Sequence, residues 1–129
     1  MRPRRTVLIV DPSSETREVL RTALEGESTR VLEANRVDRG LEMVRAHRPH
    51  LVVLDLEMDA GSADDLAENF NAETEADETP MLLLGSARWL RRPRPAWQFV
   101  DKPYHYGPLI RKIEALLEGA ADPPLRRCA

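Results

Sequence analysis

The feature that most constrains this chain is a series of short apolar runs at residues 7–10, 31–34, 51–54, 81–84 and 97–100, several of them continuous, the second broken by Glu33 and the last by Gln98. Runs of four or five residues suit a strand and are too short for a helix. Apolarity without alternation is the pattern of parallel strands covered on both faces. Between the runs, helical spacing gathers Val19, Leu20, Ala23 and Leu24, then Val37, Leu41 and Val44, then Ala63, Leu66, Ala67 and Phe70. Ser62 and Asp65 stand as a capping box before the third stretch. The last helix has Pro108 near its first turn, Leu109, Ile110, Ile113, Leu116 and Leu117 on one face, and Gly119 just after its end. Strand alternating with helix predicts right-handed crossovers and a parallel sheet with helices on both faces.

One connection breaks this rhythm. Residues 88–95 read RWLRRPRP, and Pro93 and Pro95 forbid a helix interior, so the fourth helix is expected to be short or missing. Residues 85–96 still suffice for a crossover, which needs about a dozen. The 129 residues make one domain, expected over 1–119, with 120–129 a flexible tail. With 42% hydrophobic and 32% charged residues the chain reads as globular. No apolar run approaches the ~20 residues of a membrane span. The apolar stretch at 7–10 is too short for a signal peptide, and Cys128 is the single cysteine, which excludes a disulfide framework; a cytoplasmic location is the expectation. The net charge of −3 argues against general nucleic-acid binding.

Parallel α/β sheets bind ligands beyond the carboxyl ends of their strands, where the strand order reverses. The residues in those places are Asp11, Asp55, Gly85 with Ser86, and Lys102. Taken singly, an Asp after a strand is a turn or helix-cap residue. With strand order 2-1-3-4-5, however, two carboxylates and an ammonium would share one compact site.

At these residues the sequence resembles the receiver domain of bacterial response regulators, over about residues 5–118. The likeness rests on VLIVD at 7–11 with Arg17 downstream, RPHLVVLDLEM at 48–58, PMLLLGSA at 80–87 and FVDKPY at 99–104, with 44 and 47 residues separating Asp11, Asp55 and Lys102. The resemblance implies a flavodoxin-like (βα)5 three-layer sandwich of CheY-like type, with a five-stranded sheet of order 2-1-3-4-5. It implies that Asp55 is the phosphoacceptor and that Asp11 and Asp55, with the backbone carbonyl of Glu57, serve Mg²⁺. Lys102 would pair with phosphoryl oxygens, and Phe99 would be the aromatic of the switch. A carboxylate can take a phosphoryl group from phosphohistidine when cations neutralise the crowded oxygens.

The chain departs from that pattern at named places. Pro12 replaces a second acid that is normally a metal ligand. At a net cost of about 1 to 3 kcal/mol, this weakens Mg²⁺ binding roughly tenfold to a hundredfold. Glu57 is a substitute ligand by its side chain. The switch hydroxyl position falls on Gly85, with Ser86 one residue later. Asp59 stands where the family has proline, and Gly61-Ser62-Ala63 replaces its Asp-Gly turn. Arg88, Trp89, Arg91, Arg92 and Arg94 occupy the missing helix, either as a solvated basic loop or as a partner surface anchored by Trp89; no motif for reading a nucleic-acid groove accompanies them.

Residues 57–78 hold nine acids and no Lys or Arg. Opposite charge on the two segments would steer a partner or pair two copies head to tail, whereas a solvated acidic helix is the plainer reading. His47, His50 and His105 have no ligand-like grouping. The expected function is that of an atypical receiver in two-component phosphorelay signalling, not an enzyme, served by a histidine kinase or phosphotransfer protein and acting on an unknown output protein. A phosphorylation-independent interaction module stands beside it, and a phosphohydrolase with an aspartyl nucleophile stands further off.

Overall fold

The structure is a computed structural model, and it describes residues 4–58 and 61–120. Five strands, β1 (Arg5–Val10), β2 (Thr29–Ala34), β3 (Leu51–Asp55), β4 (Met81–Leu84) and β5 (Trp97–Val100), form one parallel sheet of order β2-β1-β3-β4-β5. Four helices, α1 (Ser14–Leu24), α2 (Val37–His47), α3 (Ala63–Thr74) and α4 (Tyr106–Gly119), complete the three layers. This is the expected flavodoxin-like architecture.

The unbroken apolar runs have the expected cause. Leu8, Val10, Val52 and Leu54 point to one face, where Val44 of α2 and Leu66 and Phe70 of α3 cover them. Val7, Ile9, Leu51 and Val53 point to the other, against Leu20, Leu109 and Ile113 of α1 and α4. Period-two alternation thus supplies both cores from the same strands. α2 lies so close to the sheet that a Cβ at Gly40 would stand 3.0 Å from both Phe70 and Val10.

Helix starts follow their caps. Ser13 Oγ accepts from the Thr16 amide at 3.2 Å, and Ser62 Oγ from the Asp65 amide at 3.1 Å, the predicted cap. Gly119 is the final residue of α4 rather than the one beyond it. The cap is Ala120, buried, with its amide donating to Leu117 O, so the helical turn closes one residue later than the glycine suggests. The rest of the expected tail, Cys128 included, and Asp59 lie outside the described residues.

Between β4 and β5 a single 3₁₀ turn (Ala87–Trp89) stands where a fourth crossover helix is absent. Leu90 follows it and is buried in the same core as Phe70 and Trp97. The basic segment then lies along α3: the Arg91 amide donates to Asp64 Oδ1 at 2.8 Å, and the Arg94 guanidinium reaches Glu68 at 2.9 Å while lying 5.8 Å from the centre of the Trp97 ring. From α2 Arg45 pairs with Glu73, and from the C-cap just past it Arg48 pairs with Asp77. Part of the acidic stretch is therefore met by bases of its own chain.

Candidate functional site

Asp55 closes β3 and Asp11 follows β1, and because Val10 is in register with Leu54 the two acids leave adjacent strands side by side. Both are buried, at 3% and 2% exposure. Lys102, two residues past β5, reaches across so that Nζ donates to Asp55 Oδ1 at 2.7 Å and to Glu57 Oε2 at 2.6 Å. The Lys102–Pro103 peptide is cis. One pocket at the carboxyl rim of the sheet thus contains all three groups.

Backbone amides hold the carboxylates in place. Asp11 Oδ1 accepts from the Ser13 amide at 2.8 Å and Asp55 Oδ1 from the Glu57 amide at 3.1 Å. Burial pushes the Asp11 carboxyl above its ordinary value; the Ser13 amide opposes this and the charge of Asp55 adds to it. Burial works against the Lys102 ammonium, but its bonds to Asp55 and Glu57 prevail and raise its pKa. Two buried carboxylates side by side form a hard oxygen donor set, which suits Mg²⁺ bound through one or two carboxylates plus phosphate oxygens. Asp11 and Asp55 fit that ion. Pro12, exposed, gives no third carboxylate, and among the described residues no three His, Cys, Asp or Glu side chains are grouped to hold a metal.

At the end of β4, where a switch hydroxyl is the expectation, the chain is built around a glycine. Gly85 has φ +149°, and a Cβ there would lie 2.5 Å from Cζ3 and 2.9 Å from Cε3 of Trp89. The indole edge rests on the glycine backbone. Ser86 Oγ accepts from the Arg88 amide at 3.1 Å and caps the 3₁₀ turn. Phe99 is partly buried against the core that contains Trp97 and Leu90. Arg88, Trp89, Arg91, Arg92 and Arg94 are exposed, although Arg94 is spoken for by Glu68.

Two supports were not read from sequence. The guanidinium of Arg17 donates to the carbonyl of Asp11 at 2.7 Å and pairs with Glu33 at 3.3 Å, so it clamps the end of β1. The signal was Glu33 itself, an acid interrupting an apolar run. The buried Thr16 hydroxyl meets the Tyr106 hydroxyl at 3.1 Å, tying α1 to the start of α4, and the Tyr106 ring packs edge-on against Tyr104 at 6.1 Å. His50 Nδ1 accepts from the Thr6 amide at 2.9 Å, a backbone partner rather than a metal ligand's place.

A doubly wound α/β domain with an aspartate pair and a lysine at its switch point is the class that fold and pocket define. The profile of the response regulator receiver domain matches residues 7–114, and the chain belongs to that family. It is 29% identical over 116 residues, 86% of its length, to the KDP operon transcriptional regulatory protein KdpE of Escherichia coli (strain K12). It is 28% identical over 123 residues, 92% of its length, to the response regulator GtcR of Aneurinibacillus migulanus. The chain spans about half the length of these curated relatives, 50% of each. Among solved structures, a CheY-like receiver domain protein from Methanospirillum hungatei JF-1 superposes with a TM-score of 0.71 at 16% identity, covering 91% of this chain and 96% of that one, which speaks for the fold alone.

The chain is thus a receiver domain of two-component signalling. Such domains are in general signalling modules rather than enzymes; they typically bind Mg²⁺ at the phosphorylation site and interact with histidine kinases or phosphotransfer proteins. Among the described residues no helix is long and apolar enough to cross a membrane.

Proposed function

We propose that Asp55 accepts a phosphoryl group from a phosphohistidine donor, and that the domain acts through protein contacts as an atypical receiver. The observation that carries this reading is the 2.7 Å bond from Lys102 to Asp55, beside the buried Asp11. An oxygen of Asp55 attacks phosphorus as the bond from phosphorus to the donor nitrogen breaks, giving an acyl phosphate. Lys102 exchanges a carboxylate partner for a phosphoryl oxygen without leaving the rim. Asp11, Asp55 and the backbone carbonyl of Glu57 would hold Mg²⁺, whose charge when bound offsets that of the equatorial oxygens. With Pro12 in the second acid's place, the metal requirement shifts to higher concentration.

Intact-mass measurement after incubation with acetyl phosphate and Mg²⁺ tests the reading, with Asp55→Asn as control. Adduct formation that needs millimolar Mg²⁺ and is lost in the control is the expected result. No adduct at saturating metal would transfer the case to the phosphorylation-independent module. That second reading is favoured by the indole seated on Gly85, where a switch hydroxyl would otherwise project.

A further inference from the structure

Trp89 is the exposed large apolar side chain among the described residues, at 43%, yet it is not a loose one. One edge of its ring rests on Gly85, and Leu56 Cδ1 lies 3.1 Å from the same Cβ point. The rest of the ring borders an open depression of about 550 Å³ that it shares with Glu57, Lys102, Pro103, Tyr104 and Tyr106. Lys102 is the hinge of the geometry, since it walls this depression and also touches Asp55.

Displacement at phosphorus runs roughly in line, so the leaving group stands on the side of phosphorus away from Asp55. Lys102 would draw the phosphoryl oxygens to the border of the depression that it walls together with Trp89. The lining of that depression includes the indole of Trp89 and the carboxylate of Glu57, which also bonds Lys102. A flat ring carrying positive charge is the leaving group such walls suit: the indole attracts it through its π face and the carboxylate through its charge. A phosphorylated imidazole, protonated on its distal nitrogen, has that character, and an acyl phosphate does not.

We propose that Trp89 is a specificity-determining residue that receives the imidazole of a phosphoramidate donor and favours it over acyl phosphate donors. This rests on Asp55 being the phosphoacceptor. The Asp55 oxygen forms the new bond to phosphorus while the P–N bond breaks. Its electron pair returns to the ring, which departs as neutral imidazole, so no further proton acceptor is required.

The test uses the whole chain with saturating Mg²⁺ and compares the rates at which phosphoimidazole and acetyl phosphate label Asp55, in the wild type, Trp89→Ala and Trp89→Phe. The expected result is that Trp89→Ala slows phosphoimidazole about fivefold relative to acetyl phosphate, while Trp89→Phe keeps most of the preference. Equal change with both donors, or none with either, overturns the proposal and leaves Trp89 a packing residue. Labelling of the wild type by neither donor overturns the phosphoacceptor reading, and this proposal with it. The ratio is internal to each variant, so a loss of folded protein in Trp89→Ala does not imitate the effect, and Trp89→Phe supplies an independent arm.

Discussion

The rim formed by the ends of β1, β3 and β5 and the connection from β4 to β5 are neighbours, yet they are held by different means. At the rim, each functional group sits within two residues of a strand end, so the sheet's register delivers Asp11, Asp55 and Lys102 to one pocket. The connection has no such frame. Its path is set by its own side chains: Trp89 on Gly85, Leu90 in the core, Arg91 and Arg94 against α3. Hydrogen-bonded strands preserve a site when sequence drifts, while a connection can be rebuilt around one glycine and one leucine.

The sharpest way to break this contrast is Gly85→Thr, which puts a hydroxyl at the expected switch position. A side chain there meets the indole at 2.5 Å and must adopt φ +149°. Strain and overpacking together predict a loss of about 3 kcal/mol in urea unfolding. Adding Trp89→Ala recovers only part of it, because the backbone strain remains. An unmoved midpoint in Gly85→Thr would mean that the connection is not locked by Trp89.

Leu90→Ala comes next. Loss of a buried leucine at the turn predicts about 2 kcal/mol, whereas Arg92→Ala, two residues on, leaves the midpoint where it is. Equal effects would show that the segment is held by charge rather than by its buried residue.

On the rim side, Tyr104 gives a test with pH. Burial, with the charge of Asp11 adding to it, raises its phenol above 10.0. As pH climbs past that value the unfolded chain gives up the proton while the folded chain retains it, so stability falls. Tyr104→Phe flattens this alkaline decline and leaves neutral pH unaffected, as thermal melts across the range would record. The smallest effect belongs to Arg94 and Glu68. A double-mutant cycle with Arg94→Gln and Glu68→Gln is expected to give a slight coupling that high salt removes, since both side chains are largely in water.

Much of the fold was legible because continuous apolar runs such as 51–54 have one simple use, a strand covered on both sides. Asp55 and Lys102 were legible for the same reason: once the strands are known, the residue that follows is placed. Ser62 announced its helix in advance. By contrast, burial of Leu90 had no local signal, since it is one leucine among arginines and its place depends on where two prolines send the chain. Gly85 read as a missing hydroxyl, but its tertiary partner, an indole four residues on, is invisible to periodicity. The pairing of the basic segment with α3 likewise concerns which charges meet, and composition reports only that both signs are present.

The position of β5 at the margin of the sheet carries a consequence for how these molecules behave when crowded. An outermost strand leaves amides and carbonyls free to recruit a foreign strand. Here that ribbon is four residues long, with Pro95 two positions before it and Pro103 three after it. Proline has no amide hydrogen to offer, so a ladder started along this margin runs out of donors at both ends. The β5 border of the sheet is thereby a poor template for fibre growth.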